Sequence, residues 1–507
     1  MRKFYTIALL TLFLAGWNFT ALAQVSKGGI PKSFTENVDK NVEVRSYPAV
    51  DVATLLSEDA NYEKNGTPLR FAKHIPVNLS IDNSGTWTRL PDGGRIWRIS
   101  FTSPGAYALQ VLYDRFALPV GTSFFLYNGD KKHVIGAYDY TNNPKREEWA
   151  TEFTVGDKVT LEYYEPAKVT GKPVIDISRI SYAYKYVPFL PGYDPDKVGE
   201  SESCQVDVNC SPEGDNWQDE KNGVGRISIV IGGSGYLCTG SLVNNTDQDC
   251  TPYFLSADHC GEGASAADFN QWSFYFHYEA QTCGDDNSVN YSNLKTATGA
   301  TKRAEAANQV GSKSDMLLLE LNNLPSTTAE AWGVYFNGWS RSTSASASGV
   351  GIHHPSGDIM KISTYTSSLS SYYTTHWEVQ WSATTNGHGV TEGGSSGSPI
   401  FNNAGLIVGT LTGGSSYCTQ TSGTDIYGKF SYHWQSNGST DDSRLMPWLD
   451  PSGSSPTTLE GTYAPCGGAS LMANFSGTPT TVVVGGTVAF TDQSSGATEW
   501  EWSFGDS

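Results

Sequence analysis

The feature that most constrains this chain is where its cysteines lie. All eight fall between residues 204 and 466, and an even number of cysteines predicts a disulfide framework when a chain is exported. The cysteines are Cys204, Cys210, Cys238, Cys250, Cys260, Cys283, Cys418 and Cys466. We therefore expect one cross-linked unit, with segments before and after it that fold without cross-links. Spacing alone does not fix the pairs.

The N-terminus predicts export. Residues 1–23 begin with Arg2 and Lys3, continue as an apolar run, and end in Ala21-Leu22-Ala23, which is typical of a signal-peptide cleavage site. The exported chain would begin at Gln24. No other segment is long and apolar enough to span a membrane. We expect a secreted protein, and attachment to the cell surface stays open.

Length, charge and patterning limit the fold and the partners. A chain of 507 residues is too long for one ordinary core, so several domains are expected. The net charge is −19, so the chain lacks the excess of basic residues that is typical of a nucleic-acid-binding protein. Short alternating apolar runs between turn clusters, with few long stretches of helical period, predict a mainly β chain.

The cysteine boundaries divide the chain into four segments. After the signal peptide, residues 24–197 form a cysteine-free, β-rich segment that ends in the linker PGYDPDK. Residues 198–466 form the cross-linked unit, whose short strands suit a barrel or sandwich. Residues 470–507 are too short to bury a core of their own. A cysteine-free segment ahead of a cross-linked core predicts a pro-region and a mature enzyme.

The stretch GSSGSP, residues 394–399, raises the question of chemistry. By itself it is more often a flexible loop. A serine nucleophile needs a base, an orienting group for that base, and donors for the oxyanion. His259 lies beside a cysteine at the end of an apolar run, and Asp315 begins the run DMLLLEL, where it is either an inward carboxylate or a turn residue. The competing histidines are His353, His354, His376 and His388.

Several motifs resemble known proteases. TGSLVNN, SADHCG, SDMLLLELNN and GSSGSPIF together resemble the chymotrypsin-like serine proteases, and the order His, Asp, Ser is that of this fold. More specifically, five stretches resemble the bacterial lysyl endopeptidases in the same order: SCQVDVNCSPEGD, CTGSLVNN, GIHHPSGDIMKIS, TEGGSSGSPI and SGTDIYGKF. The resemblance covers most of residues 198–466 and implies a double six-stranded β-barrel.

The resemblance also implies catalytic roles. Ser396 would be the nucleophile, His259 the general base and then the general acid, and Asp315 the group that orients the imidazole. The backbone N–H groups of Gly394 and Ser396 would form the oxyanion hole, and glycine at 394 would let the backbone turn its amide toward the substrate. No cofactor and no metal site are expected.

The substrate pocket departs from that of trypsin-like enzymes. Their pocket aspartate lies six residues before the nucleophile, where this chain has Val390. The lysyl endopeptidases place it after the nucleophile, in a motif matched by Asp425, which implies cleavage after lysine. Thr412, Gly413 and Gly414 would pair with the extended substrate backbone. Protein and peptide substrates are thus expected, with the enzyme a monomer.

Some positions depart from the family pattern. The family has a histidine where Thr412 stands, and its aromatic pocket wall is matched here only by Tyr372 or Tyr373. These departures leave open the preference for lysine over arginine. Glu392 matches the family motif, but the resemblance assigns it no role. A protease of other specificity, or an inactive adhesin that keeps the fold, remain alternatives.

Activation and cross-linking follow from the same resemblance. Trypsin-like zymogens use an aspartate just before the nucleophile, where this chain has Ser395, so activation would instead need removal of the pro-region. A cut after Lys197 would leave Val198 as the N-terminus. The implied disulfides are Cys204–Cys418, Cys210–Cys283 and Cys238–Cys260, with Cys250 and Cys466 left to pair. The ending WEWSFGDS resembles the start of a polycystic-kidney-disease (PKD) type β-sandwich repeat.

Overall fold

The computed structural model describes residues 27–38, 40–62, 68–186, 201–284, 288–290, 293–466, 475–478 and 487–492. The predicted signal peptide, the linker 191–197 and most of residues 470–507 lie outside this set. Within it the chain is mainly β, as the sequence predicts. No described helix is both long enough and apolar enough to cross a membrane.

The N-terminal unit consists of two packed sheets. Its elements are α1 (Lys32–Thr35), β1 (Glu43–Ser46), α2 (Val52–Tyr62), β2 (Leu69–Ser80), β3 (Thr86–Arg89), β4 (Arg95–Thr102), β5 (Ala108–Ala117), β6 (Ser123–Asn128), β7 (Val134–Tyr138), β8 (Trp149–Ala150), β9 (Thr154–Val155), β10 (Lys158–Glu165) and β11 (Val174–Ala183). One sheet has the order β1-β4-β10-β6-β7, and β2, β11 and β5 belong to the other. Trp97, Tyr113 and Tyr163 are buried between them.

The first part of the cysteine-containing unit is a curled sheet of seven strands. Its elements are β12 (Val224–Ile231), β13 (Ser234–Leu242), β14 (Tyr253–Ser256), α3 (Ala266–Phe269), β15 (Ser273–Phe276), β16 (Lys295–Thr298), β17 (Ala300–Ala306), β18 (Met316–Leu321) and α4 (Ser326–Trp332). The neighbour order is β16-β15-β12-β13-β14-β18-β17. Since β16 and β17 are joined through Gly299, the two ends of this order meet and the sheet wraps around its core as a barrel.

The second part contains a sheet of nine described strands and, outside that sheet, the separate strand pair β19 and β29. Its elements are β19 (Tyr335–Phe336), β20 (Trp339–Ser340), β21 (Gly349–His353), β22 (Lys361–Tyr365), β23 (Ser370–Tyr372), β24 (His376–Val379), β25 (Pro399–Asn402), β26 (Ile407–Gly414), β27 (Asp425–Lys429), α5 (Phe430–Gln435), α6 (Met446–Leu449), β28 (Thr458–Leu459) and β29 (Thr462–Tyr463). The order β22-β21-β25-β26-β27-β24-β23 encloses Tyr365, Trp381 and Tyr427. Two β-barrels thus stand in sequence, as in chymotrypsin-like proteases.

The N-terminal unit shares a sheet with the first barrel. Strand β2 pairs antiparallel with β13, from Lys73 opposite Ser234 to Leu69 opposite Leu237. Phe71 and Leu237 belong to one buried apolar cluster at this joint. The cysteine boundary that divides the sequence near residue 200 therefore does not divide the sheet.

Four disulfides cross-link the C-terminal part, and the described residues contain no free cysteine. They join Cys204 to Cys418, Cys210 to Cys283, Cys238 to Cys260 and Cys250 to Cys466. These are the pairs that the resemblance implies, together with the pair left over. Beyond Cys466, β30 (Phe475–Thr478) and β31 (Ala489–Asp492) form an antiparallel pair.

Candidate active site

The loop that carries Ser396 is shaped by two glycines in the left-handed region. Gly394 has φ +96° and Gly397 has φ +81°, values that side chains with a Cβ rarely adopt. A Cβ on Gly397 would lie 2.1 Å from Ser256 Oγ, so the loop packs directly against the end of β14. Thr239 N–H donates to the Ser396 carbonyl at 2.8 Å. The sequence GSSGSP is therefore a fixed turn that holds Ser396 at the junction between the barrels.

His259 and Asp315 meet at the end of the first barrel. His259 lies in a short turn after β14, and Asp315 precedes β18, the strand that pairs with β14. Asp315 Oδ2 lies 2.7 Å from His259 Nδ1, and Asp315 Oδ1 accepts the His259 N–H at 3.0 Å. The disulfide of Cys260 fixes the neighbouring residue. Both oxygens of Asp315 thus orient a single histidine.

The electrostatics of this pair suit a general base. Burial lowers the pKa of His259, but the charge and hydrogen bond of Asp315 outweigh burial and raise it above the ordinary value. Burial likewise raises the pKa of Asp315, and the interactions with His259 outweigh it and hold the value below the ordinary range. His259 Nε2 is buried and has no hydrogen-bond partner in the described part of the chain. That nitrogen is free to accept a proton.

The backbone around Gly394 leaves two N–H groups without acceptors. Ser356 N–H donates to the Gly393 carbonyl at 2.7 Å, and Thr239 Oγ1 donates to the Gly394 carbonyl at 2.9 Å. These bonds hold both carbonyls away from the loop opening. Among the described residues, the N–H groups of Gly394 and Ser396 have no intramolecular acceptor. Such a pair of donors can stabilise an oxyanion.

A cavity of about 560 Å³ opens beside Ser396. Its wall includes Thr391, Glu392 and Ser416 of the second barrel, with Tyr417 at its rim. Tyr372 and Tyr373, the predicted aromatic wall, do not line it; they are exposed and pack against each other, with ring centroids 5.0 Å apart. The aromatic side chain at this cavity is therefore Tyr417, which the motif comparison did not single out.

Asp425 lies behind the cavity wall and is fully buried. Its Oδ2 accepts hydrogen bonds from Trp381 Nε1 at 2.6 Å, Thr391 Oγ1 at 2.8 Å and Ser416 Oγ at 2.6 Å. Thr391 and Ser416 also line the cavity. Burial raises the pKa of Asp425, and these neutral donors only partly offset the rise. The carboxylate thus has neutral donors but no cationic partner among the described residues.

The end of β26 offers an open backbone edge. Gly413 and Gly414 pair with Ile426 and Asp425 of β27, whereas the pairing with β25 on the other side ends at Thr410. A Cβ on Gly414 would collide with Asp425, while one on Gly413 would meet open space. An extended peptide can therefore lie along residues 412–414 beside Ser396.

The competing histidines have other partners. His353 Nδ1 lies 2.7 Å from Ser395 Oγ, and His354 Nδ1 lies 2.8 Å from the Asp358 carbonyl. His388 Nδ1 lies 3.0 Å from the Gly389 carbonyl. Burial lowers the pKa of His353 and His354 to about 3. None of these three histidines has a hydrogen bond to a carboxylate, whereas His259 has one to Asp315.

Two further acidic residues lie at the site: Glu392, which matches the family motif but had no role assigned from sequence, and Asp258, which the motif reasoning did not single out. Glu392 Oε1 accepts from Gln205 Nε2 at 2.6 Å and from Glu202 N–H at 3.0 Å, and its Oε2 accepts from Ser356 Oγ at 2.7 Å. It therefore ties the start of the cross-linked unit to the Ser396 loop. Burial and the charge of Asp315 raise the pKa of Asp258 to about 7.

The described residues contain one cluster with metal-ligand geometry: Cys238, His259 and Cys260. Both cysteines are joined in a disulfide, so neither is available as a thiolate ligand. The cluster is therefore not suited to bind a metal ion.

Comparisons with known proteins point to one family. The family model described as "Lysyl endopeptidase, C-terminal domain" matches residues 198–428. A lysyl endopeptidase of Pseudomonas aeruginosa is 30% identical over 375 residues, which cover 70% of this chain and 77% of that protein. Because 375 residues exceed the length of the cross-linked unit, residues 198–466, this similarity also includes residues before or after that unit.

Two solved protease structures are also similar. The protease Anisep from Arthrobacter nicotinovorans is 19% identical, with a TM-score of 0.30, over 41% of this chain and 90% of that one. A Glu endopeptidase is 18% identical, with a TM-score of 0.28, over 46% of this chain and 92% of that one. Likeness at this level supports no inference about substrate.

Proposed function

The chain belongs to the lysyl endopeptidase family of serine proteases, and from this premise we propose that it is a secreted endopeptidase that hydrolyses peptide bonds on the carboxyl side of lysine. The observation that carries the proposal is the buried carboxylate of Asp425. It lies behind a cavity that opens beside Ser396, and no side chain of the described residues supplies its positive charge. A lysine ammonium of the substrate would supply it.

The proposed chemistry follows the serine-protease cycle. Ser396 Oγ attacks the peptide carbonyl while its proton passes to His259 Nε2, and the N–H groups of Gly394 and Ser396 stabilise the oxyanion. His259 then gives the proton to the leaving amine, which departs and leaves an acyl-enzyme. Water, deprotonated by His259, hydrolyses the ester and restores Ser396. Asp315 stabilises the imidazolium throughout.

The substrate would be held by backbone and by charge. Its extended chain would pair with Thr412, Gly413 and Gly414, and its lysine side chain would fill the cavity. The ammonium would donate to the hydroxyl groups of Thr391 and Ser416, and its charge would face Asp425. The preference for lysine over arginine depends on how closely these groups surround the ammonium.

Residues 24–197 are proposed to be a pro-region that blocks the site until it is removed. Ala60 and Leu69 of this unit line the same cavity as Ser396, and a Cβ on Gly393 would lie 3.5 Å from Leu69 Cβ. Both residues therefore form part of the wall of the cavity that the substrate lysine would have to enter. Cleavage after Lys197 would leave Val198 first; N-terminal sequencing of the secreted enzyme that finds another start would refute this site.

The remaining parts of the proposal concern targeting and partners. Residues 1–23 would be a signal peptide, and the segment 470–507 would begin a PKD-like repeat of the kind that assists binding to surfaces or polymers. The proposed partners are peptide substrates alone, with the mature enzyme a monomer and no nucleic acid bound.

Mass spectrometry of a denatured protein digested by the secreted enzyme tests the proposal. We expect cuts confined to the carboxyl side of lysine, and a loss of about 10⁶-fold in turnover for Ser396→Ala. Ser344→Ala, which changes an exposed serine, is the matched control and should leave activity unchanged.

Two other outcomes would redirect the assignment. Cuts after other residues, absent in Ser396→Ala, would keep the triad and discard the pocket role of Asp425. An enzyme that cuts nothing and is not labelled by a serine-reactive phosphonate, although its pro-region has been removed, would indicate an inactive adhesin.

A further inference from the structure

The backbone of Asp315 adopts a left-handed conformation, with φ +55°. Residues with a Cβ visit this region rarely, although aspartate does so more often than most. The value of φ sets the direction of the Cα–Cβ bond relative to the preceding peptide unit, and from this conformation Asp315 Oδ2 lies 2.7 Å from His259 Nδ1. The groups that hold the chain at this turn therefore also hold the carboxylate against the imidazole.

Ser314, the residue before this turn, is fully buried and is held at its N–H, hydroxyl and carbonyl groups. Its N–H donates to Oδ1 of the buried Asn437 at 3.1 Å, and Asn437 Nδ2 donates to its Oγ at 2.7 Å. A backbone N–H can only donate, so this bond fixes the orientation of the Asn437 amide. The Ser314 carbonyl packs on β27, where a Cβ on Gly428 would lie 2.0 Å from its oxygen. Asn437 and Gly428 thus hold the two peptide units that flank Ser314.

His433 of α5 connects Ser314 to the second barrel. Its Nδ1 lies 2.7 Å from Ser314 Oγ, and its Nε2 lies 3.0 Å from Thr410 Oγ1. Thr410 lies opposite Pro399, the first residue of the strand that follows the Ser396 loop. The ring is fully buried, so its hydrogen bonds to these two hydroxyl groups fix its orientation. The residue before Asp315 is therefore anchored to the strand beside the nucleophile loop.

We propose that Asn437 and His433 are positioning residues of the catalytic triad, which hold Ser314 and thereby fix the direction in which Asp315 presents its carboxylate to His259. The inference rests on the proposed serine-protease function. Neither residue lines the cavity beside the nucleophile, so both act through Ser314 and not on the substrate. Without them the chain before Asp315 would be free to leave the left-handed conformation, and the carboxylate would turn away from the imidazole.

The surroundings of His433 keep its ring neutral. Burial lowers its pKa to about 3; the charge of His376 adds to this shift and that of Asp315 opposes it. His376, the remaining competing histidine, has Nδ1 2.7 Å from Thr375 Oγ1 and Nε2 3.1 Å from Thr412 Oγ1. Burial lowers the pKa of His376 to about 4. Both rings therefore act as hydrogen-bonding groups and place no positive charge near Asp315.

A double-mutant cycle in the enzyme secreted from the full-length chain tests the inference. Asn437→Ala removes both hydrogen bonds from Asn437 to Ser314. We expect kcat to fall about 10- to 100-fold with little change in KM, because the base is displaced while the substrate cavity stays as it is. In an Asp315→Asn background, Asn437→Ala should have no further effect on kcat, because it acts through the carboxylate that is already gone.

The pH profile of kcat gives a readout that a loss of folded enzyme would not move. Asp315 raises the pKa of His259 against the effect of burial. A carboxylate that points away stabilises the imidazolium less, so Asn437→Ala should move the acid limb to lower pH. Asp258 and Glu262 also raise the pKa of His259, and this variant leaves both in place. An acid limb that does not move would contradict the role in positioning.

A pair of amide variants tests His433 separately. The amide of His433→Asn can reach the place of Nδ1 and bond Ser314 Oγ, whereas the amide of His433→Gln extends to the place of Nε2, beside Thr410. The asparagine variant should keep most of kcat, and the glutamine variant should lose about 2- to 10-fold, which corresponds to the loss of one hydrogen bond.

Asn244→Ala is the matched control for Asn437→Ala. Asn244 is also buried, and its Oδ1 accepts the Asn245 N–H at 2.9 Å while its Nδ2 donates to the Glu460 carbonyl at 2.9 Å. The control therefore removes an asparagine that makes the same two kinds of bond elsewhere in the chain. It should leave kcat and its pH profile unchanged, and urea titrations of both variants show whether the losses of stability are comparable.

The contrary results separate this inference from the proposed function. An equal loss of kcat from Asn437→Ala with and without the Asp315 carboxylate, a loss in KM alone, or the same loss from Asn244→Ala would show that Asn437 only supports the fold. Equal activities of the two amide variants would show the same for His433. If Ser396→Ala remains as active as the unmodified enzyme, the proposed function itself fails; if that variant is inactive and the Asn437 and His433 variants are fully active, only the positioning role fails.

Discussion

Two fully buried aspartates stand in opposite electrostatic surroundings. Asp315 has His259 as a partner that becomes a cation, and its pKa is held below the ordinary value. Asp425 has only the neutral donors Trp381, Thr391 and Ser416, and its pKa is raised. The first carboxylate is stabilised by its own chain. The second has only neutral donors among the described residues, and under the proposed function a substrate lysine would supply the positive charge.

A third carboxylate completes the comparison. Asp258 precedes His259 and has negative neighbours, which add to burial and raise its pKa to about 7. Asp315 thus has a partner that can carry positive charge, Asp425 has only neutral hydrogen-bond donors, and Asp258 lies near other negative charges. Substituting each by asparagine, which removes the charge and keeps the shape, gives a matched series.

The largest effect is expected at Asp315. Asp315→Asn would present an N–H to His259 Nδ1 and favour the wrong tautomer, so kcat should fall about 10⁴-fold with little change in KM. Steady-state hydrolysis of a lysine ester checks this. Asp441→Asn, an exposed change, serves as the control. A loss below 10-fold would mean that Asp315 does not orient the base.

Asp425→Asn should reduce kcat/KM for lysine substrates about 10²- to 10³-fold, because the substrate ammonium would be buried without its counter-charge. The same variant should cleave after norleucine, a neutral analogue of similar shape, at least as well as the unmodified enzyme. Competition between the two substrates measures the ratio directly. Equal losses for both would show that Asp425 supports the fold and not the specificity.

Trp381→Phe removes one donor to Asp425 and should lower kcat/KM for lysine substrates about 10-fold. The lysine-binding form of Asp425 is ionised, so binding weakens as the pH falls through its pKa. Losing a donor to the charged form raises that pKa further, and the KM limb should move to higher pH. The pH dependence of KM for lysine and norleucine substrates separates this from a general loss of packing.

The smallest effect is expected at Asp258, and it concerns stability. Its folded pKa of about 7 lies above the model-peptide value of 3.8, so its ionisation destabilises the fold increasingly between these two pH values. Asp258→Asn should therefore raise the free energy of unfolding by about 2 kcal/mol at pH 8 and leave it unchanged at pH 3.5. Urea titrations in a Ser396→Ala background measure both; a gain of the same size at both pH values would contradict the electrostatic cause.

The motif residues could be identified from sequence because their geometry is local. Gly394 and Gly397 occur where the turn requires a positive φ, and the run before His259 and the run after Asp315 are the two paired strands that bring these residues together. Tyr417 could not be found in this way. Its proximity to the site depends on strand register, and in β26 the register changes at a bulge that the residue pattern does not predict.

The sequence also does not predict that β2 pairs with β13. Alternating apolar residues predict that each segment is a strand, but they do not identify the partner when it lies in a distant part of the chain. Cysteine content suggested a boundary near residue 200, and that boundary describes the cross-links only. The backbone hydrogen bonds between Leu69–Lys73 and Ser234–Leu237 cross it.

The cross-links have a consequence for an enzyme exposed to its own activity. The bridges Cys204–Cys418 and Cys250–Cys466 overlap, so every peptide bond between residues 204 and 466 lies inside at least one closed loop. All six lysines of that span lie within these loops. A single nick after any of them would leave one covalent molecule, with both barrels still tethered and able to close again around the cut.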